Sequence, residues 1–325
     1  LALDVKHSAA AGVLAKLLQI ADVLVQNLAP GAAARLGLSH EALLERHPRL
    51  IVCDISGYGS DGPYRDKKAY DLLIQSEAGF LSLTGTPDEP AKAGCPIADL
   101  SAGIYACTNI LAALINRGKT GKGCRIDVSM LETTVEWMGH PLYYAFDGAA
   151  PPPRTGAAHA TVYPYGPFPA GDGRPVMLGL QNEREWMAFC DKVLERPELA
   201  ADPRFSSNSR RSAARNELDE IVINSFSRLT AEDVIKRLDA AQIANARVND
   251  MRDVWEHPQL KARRRWVEIE TSAGKIPALL PPGAPEAFTP RMDPIPALGE
   301  HTDAILAELG YDHDTIARLR AQRAI

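Results

Sequence analysis

Over its first 147 residues the chain alternates short apolar runs with stretches of helical period, and this limits the fold more than any other feature. Residues 23–25 and 50–55 read as buried strands, and residues 125–130 as a half-buried one. Residues 8–20, 39–47 (Ser39 as N-cap), 70–83 and 98–116 carry helical spacing. Strands separated by helices form parallel sheets, because a parallel pair needs a long crossover and the helix supplies it. The expected fold class is therefore α/β, with a Rossmann-like large domain built on a parallel sheet. Residues 1–5 read as one more strand, so the sheet would be under way at the first residue.

Two stretches dense in glycine and proline break the rhythm. Residues 148–175 contain PPP and YPYGPFPAGDG, and residues 274–296 contain PALLPPGAP, which suits connections better than regular elements. Both read as linkers. Between them, residues 176–273 are expected to form a smaller α/β domain, with helical spacing over 183–194, 215–229 and 231–240. Residues 297–325, with a helix pair over 300–309 and 314–322, are expected to return to the large domain of residues 1–147.

Composition matters mainly by exclusion. An apolar share of 46% and a charged share of 24% rule out a disordered or low-complexity chain. A net charge of −5 gives no reason to expect a nucleic-acid partner. The longest strongly apolar stretch, residues 104–115, is interrupted by Thr108 and Asn109 and reads as too short to cross a bilayer, so no membrane partner is expected. The five cysteines are scattered without short spacings, which suits a reducing cytoplasm. Eight dispersed histidines give no metal-ligand spacing, and no metal is expected.

Two motif matches fail on context. GYGSDG (Gly57, Gly59, Gly62) fits GxGxxG after a strand, but Pro63, Tyr64 and RDKK follow where a dinucleotide site needs a helix N-terminus. ALINRGKT resembles a phosphate-binding loop, yet it closes a helix, with Gly118 placed as its stop and Arg117 and Lys119 beside the negative end of the dipole.

Asp99 opens the long helical stretch, where aspartate is a common N-cap. It would be ionised at neutral pH, and a helix N-terminus favours the anion further. Such a carboxylate can attack an acyl centre without a partner base. Its surroundings add to this reading. LALDVKH, ADVLVQNLAPGAAARLGL, HPRLIVCDISGYGSDGPY and KKAYDLLIQSEAGF, then PIADLSAG, RGKTGKGCRIDVSM and PALGEHTDAILAELGY, occur in order along nearly the whole chain. Together they resemble the family III CoA-transferases (CaiB/BaiF type), which include formyl-CoA transferase and, as a related branch, α-methylacyl-CoA racemase.

The resemblance implies that Asp99 is the nucleophile, carrying CoA from an acyl-CoA to a free carboxylic acid through an aspartyl–acyl anhydride and an aspartyl-CoA thioester. CoA would be substrate, with no permanently bound cofactor. By the same resemblance its contacts fall on Leu3, Asp4, Val5 and Lys6, on Asn27, Leu28 and Ala29, on Arg35, and on Lys68, Ala69 and Tyr70. Lys6, Arg35 and Lys68 suit phosphate chemically, although each alone reads equally as a solvated surface cation. Asn27 could instead cap a turn, and Tyr70 could belong to a core.

The racemase branch has a histidine where this chain has Tyr70, before Asp71. A phenol is a poor proton shuttle at neutral pH, so transfer is preferred, with α-carbon racemisation as the alternative. Formyl-CoA transferases carry a tetraglycine loop where this chain has YPYGPFPAGDG. That departure speaks against oxalate as acceptor. The stretch HATVYPYGPFPAG resembles instead the family members that move CoA between dicarboxylates such as succinate, malate, mesaconate or itaconate. This implies a small dicarboxylate acceptor, with succinyl-CoA or similar as donor. Arg154, His159 and Tyr163 are candidates to meet a distal carboxylate. The resemblance further implies an interlocked homodimer. It also implies a βα unit ahead of Leu1 that this sequence lacks, and a CoA-binding protein without turnover is the corresponding alternative.

Overall fold

The computed structural model describes residues 1–283 and 287–325, and these fall into two compact units. Unit 1 comprises Leu1–Asp71, Ala98–Thr133 and Trp255–Ile325, and unit 2 comprises Leu72–Ile97 and Thr134–Val254. Residues 284–286, inside the expected second linker, lie outside the described residues.

Unit 1 is built on a parallel sheet, β1 (Val23–Gln26), β2 (Ile51–Ser56) and β3 (Cys124–Ser129), in that spatial order. The fold is α/β, as the alternating pattern implied. The register sets Gln26 opposite Asp54 and Asp54 opposite Asp127. Helices α1 (Ala10–Ile20), α2 (Ala32–Arg35) and α3 (His40–Arg46) follow the first 60 residues of the pattern. Ser39 caps α3, its hydroxyl accepting the Ala42 N–H. Leu18 of α1 and Leu43 of α3 share a core with Leu24 and Val52 of the sheet. Val13 of α1 packs with Leu306, Ile316 and Leu319, which come from the helix pair Thr302–Glu308 and His313–Ala321. The last residues of the chain thus belong to the same core as α1.

Residues 1–5 do not form the expected strand. The Ala2 N–H donates to Thr302 Oγ1 (3.0 Å) and the Asp4 N–H to the Ala324 carbonyl (2.8 Å), so the C-terminal segment takes the backbone groups a sheet would have used. The helical stretch 70–83 is two helices, α4 (Asp71–Glu77) and α5 (Phe80–Leu83), parted at Gly79 with φ 79°.

Helix α6 (Ile97–Thr120) outruns its expected end. It stops at Gly121 (φ 72°), whose N–H meets the Arg117 carbonyl at 2.8 Å, and not at Gly118. Thr108 and Asn109, read as interruptions, bond back to the carbonyls of Ile104 (2.9 Å) and Tyr105 (2.8 Å), satisfying their polar atoms on the helix itself. At 24 residues α6 is long and apolar enough to cross a membrane by length and composition, contrary to the estimate from residues 104–115. Its Ala98, Ser101, Ala102 and Ala106 are nevertheless buried in protein, and the hydroxyls of Ser101 and Thr133 share a hydrogen bond of 3.0 Å.

Both proline-rich stretches hold strands. In unit 2, β4 (Tyr165–Pro169) and β5 (Pro175–Gly179) pair antiparallel, and β6 (Ala244–Arg247) adds to the far side of β5. Pro167 and Pro169 are tolerated because β4 is an edge strand, whose outer N–H positions need no partner. In unit 1, β7 (Trp266–Thr271) pairs antiparallel with β8 (Gly274–Leu279), so residues 274–279 are strand and not linker. Unit 2 has its own core, in which Val176 and Leu178 meet Trp186, Phe189, Phe205 and Phe226.

Candidate active site

Asp99 is the third residue of α6, and this corrects its reading as the N-cap. The cap comes from another element. Asp71, the first residue of α4, accepts the Ala98 N–H at 2.8 Å and the Asp99 N–H at 3.2 Å through one oxygen, Oδ1. Two of the N–H groups that a helix start leaves without partners are thereby met. The Asp99 carboxyl is exposed and not used in that cap. Partial desolvation pushes its pKa above the ordinary aspartate value, and the charge of Asp71 pushes the same way. The shift is opposite to the one expected from the helix dipole alone. A carboxylate destabilised in this way is more basic, and so a better nucleophile once ionised.

Asp71 also brings the segment Lys68, Ala69 and Tyr70 beside the start of α6. Tyr70 is 73% exposed and belongs to no core. The two neighbouring lysines divide. Lys67 Nζ lies over the rings of Tyr64 (4.2 Å) and Tyr58 (5.1 Å), whereas Lys68 is exposed and has no ion pair among the described residues. Lys6 and Arg35 are likewise exposed without a carboxylate partner among the described residues. Leu3, Asp4, Val5 and Lys6 form a turn in which Asp4 Oδ1 accepts the Lys6 N–H at 2.9 Å.

Asn27, Leu28 and Ala29 are exposed just past the C-terminal end of β1, the edge at which open parallel sheets take ligands. The turn there is held by Gln26 Oε1, which accepts the Leu28 N–H at 2.7 Å, so Asn27 is not needed as its cap. Beside Leu28 and Ala29 lies a cavity of about 360 Å³ with Ala33, His40, Asp54 and Arg125 in its walls. Its polar floor is not evident from the sequence. Gln26 Nε2 donates to Asp54 Oδ1 (2.9 Å), Arg125 Nε donates to Asp54 Oδ2 (3.0 Å), and Arg125 Nη2 lies 3.4 Å from Asp127 Oδ2. Asp54 interrupts the apolar run IVCDIS, and that was the one available signal.

The model of CoA-transferase family III matches residues 1–302. The chain belongs to CoA-transferase family III.

Among relatives of this CoA-transferase, a succinate–glutarate CoA-transferase of Agrobacterium fabrum is 32% identical over 309 residues, covering 94% of this chain and 77% of the relative. Human succinyl-CoA:glutarate CoA-transferase is 31% identical over 326 residues, covering 98% and 73%. A crystal structure of a CaiB/BaiF family protein from Brucella suis superposes with a TM-score of 0.83 at 32% identity, over 94% of this chain and 80% of that one. The chain is accordingly an enzyme of the transferase class, and CoA thioesters are the substrates of its family.

Proposed function

We propose that this enzyme moves CoA from succinyl-CoA, or a similar acyl-CoA, to a small dicarboxylic acid, with Asp99 as nucleophile. The observation that carries the reading is the Asp99 carboxyl itself, exposed in the first turn of α6 while Asp71 does the capping. Asp99 attacks the thioester carbonyl, the C–S bond breaks, and an aspartyl–acyl anhydride and CoA thiolate result. The thiolate then attacks the aspartyl carbonyl and expels the donor acid, leaving an aspartyl-CoA thioester. The acceptor carboxylate attacks that thioester to give a second anhydride and thiolate. The thiolate takes the acceptor's acyl carbon, and Asp99 returns to its starting form. Each step exchanges one activated acyl derivative for another, which avoids attack of the CoA thiolate on an unactivated carboxylate.

Lys6, Arg35 and Lys68 are the cations proposed for the CoA phosphates, with Leu3, Asp4, Val5, Asn27, Leu28, Ala29, Ala69 and Tyr70 along the rest of the molecule. None of the three cations forms an ion pair among the described residues, which supports this, since a paired cation would have to give up its partner first. A homodimer is part of the proposal. Leu100, Ile104, Leu111 and Ile115 of α6 are between 49 and 65% exposed, and a second copy would cover them. Sedimentation of the enzyme as a monomer at micromolar concentration would count against that pairing.

The substrate assignment is tested by incubating the enzyme with succinyl-CoA and single acids and detecting new acyl-CoA by mass. Glutarate and other short dicarboxylates are expected to give product. Hydrolysis without any acyl exchange would remove the transferase reading. α-Deuterium uptake from D2O without an acceptor acid would replace it with racemisation.

A further inference from the structure

Arg154 and Tyr163 of unit 2, two of the side chains offered to a distal carboxylate, are engaged within that unit. Arg154 donates from Nε to the Thr86 carbonyl and from Nη2 to the Pro87 carbonyl, both at 2.8 Å, and Tyr163 donates its hydroxyl to Asp219 Oδ1. The third, His159, stacks on Tyr165 at 5.2 Å between ring centroids. A more fully connected arrangement lies in unit 1, at the C-terminal ends of β1, β2 and β3.

In-register pairing sets Gln26, Asp54 and Asp127 side by side across the three strands. Arg125, two residues before Asp127 and on the same face of β3, joins two of them. Its Nε donates to Asp54 Oδ2 at 3.0 Å, and its Nη2 lies 3.4 Å from Asp127 Oδ2. The other oxygen of Asp54, Oδ1, accepts Gln26 Nε2 at 2.9 Å. A carboxylate gripped by a guanidinium has only acceptors to offer, so the Gln26 amide must turn its NH2 group toward Asp54. The amide oxygen then faces the other way, where it accepts the Leu28 N–H at 2.7 Å. Leu28 is the middle residue of the exposed turn Asn27–Ala29, whereas Asp54 is half-buried in the sheet. A network anchored in three strands thus ends on a backbone group of the turn proposed to contact CoA.

We infer that Gln26 and Asp54 are positioning residues for CoA. Asp54, held by Arg125, sets which way the Gln26 amide faces, and the amide holds the turn Asn27–Ala29 in the shape that takes CoA. The inference rests on the CoA contacts proposed above for that turn and adds what fixes their geometry. Its chemistry can be reversed. Asp54→Asn leaves one oxygen for two donors. With Arg125 keeping that oxygen, the new NH2 group faces Gln26, whose amide must flip and aim its own NH2 at the Leu28 N–H, donor against donor. Gln26→Glu sets a second carboxylate against Asp54 Oδ1. Together the two changes cancel: the new amide at position 54 donates to one oxygen of the new carboxylate, and the other oxygen accepts the Leu28 N–H.

The test measures the Kd of free CoA by titration calorimetry, and KM for succinyl-CoA and kcat with glutarate as acceptor. It compares the wild type with Asp54→Asn, Gln26→Glu and the double variant. Each single variant is expected to raise Kd and KM by about fivefold or more, with kcat at saturating succinyl-CoA within about twofold. The double variant should return Kd to within about twofold of the wild type. Thermal melting separates these effects from a loss of fold. Gln26→Glu leaves the Asp54–Arg125 pair in place, so it carries the test should Asp54→Asn fail to fold. An unchanged Kd in the single variants would overturn the positioning role and leave the transferase reading intact. So would a double variant that melts like the wild type and binds CoA no better than the singles, or a fall in kcat at unchanged Kd. A wild type that neither binds CoA nor exchanges it would overturn the transferase reading, and the positioning role with it.

Discussion

Asp99→Asn is expected to lower CoA exchange by at least about three orders of magnitude while the protein stays folded. The change removes the oxygen proposed as nucleophile and keeps the shape of the side chain. Folding should be spared because α6 is capped by Asp71 Oδ1 through the N–H groups of Ala98 and Asp99, both backbone atoms that the substitution leaves in place. Had Asp99 been the cap, Asp99→Ala would cost about 1 kcal/mol of stability. With Asp71 in that role, Asp99→Ala should show no loss of that size in a melting experiment.

The same assay carries a pH signature. Desolvation and the charge of Asp71 raise the Asp99 pKa, and the proposed nucleophile is the ionised form. Exchange should therefore fail, as pH is lowered, at a higher pH than an ordinary aspartate would dictate. Asp71→Asn keeps an oxygen that can accept the two N–H bonds but removes the charge. It should move the acid limb to lower pH, and an unmoved limb would mean that Asp71 does not tune Asp99.

A second large effect is expected from Arg211→Ala, this time on stability. Arg211 is 2% exposed and forms a two-pronged ion pair with Glu183, at 2.7 and 3.0 Å. It also donates to the carbonyls of Tyr163 (3.1 Å) and Phe205 (3.0 Å), and its guanidinium carbon lies 5.0 Å from the centre of the Trp186 ring. Removing it strands two carbonyls and leaves a hole in the core of unit 2, for a cost of about 2–4 kcal/mol. Glu183 is half exposed and can return to water, so the cost should not reach that of a fully buried broken pair. In calorimetry the melting point should fall by roughly 5–12 °C. Arg211→Lys should recover little, because a lysine cannot serve Glu183 and two carbonyls from one planar fork. A fall of under about 2 °C in Arg211→Ala would show that the network contributes little.

The fold is legible in the sequence where periodicity survives. The three parallel strands and α1, α3 and α6 are legible as short apolar runs and helical spacing, although β1 is not the buried strand its sequence suggests, with Val25 50% exposed. The sheet of unit 2 is not legible. Pro167 and Pro169 sit on an edge strand that tolerates them, so a proline-rich run that reads as a loop is a strand in the fold. The hairpin at 266–279 was missed for the same reason, with Pro277 inside β8. At the candidate site Asp99 is visible by resemblance and by its place at a helix start. The role of Asp71 is not, since a cap supplied from 28 residues away leaves no local spacing to read.

The nucleophilic role of Asp99 is tested most directly by trapping. The enzyme is incubated with succinyl-CoA and hydroxylamine, which converts an aspartyl thioester or anhydride to a stable hydroxamate, and the digest is mapped by mass. The expected result is a hydroxamate on Asp99 in the wild type, formed only when succinyl-CoA is present, and none in Asp99→Asn. CoA exchange that proceeds with Asp99 unmodified, or a hydroxamate found on a different carboxyl, would contradict the account.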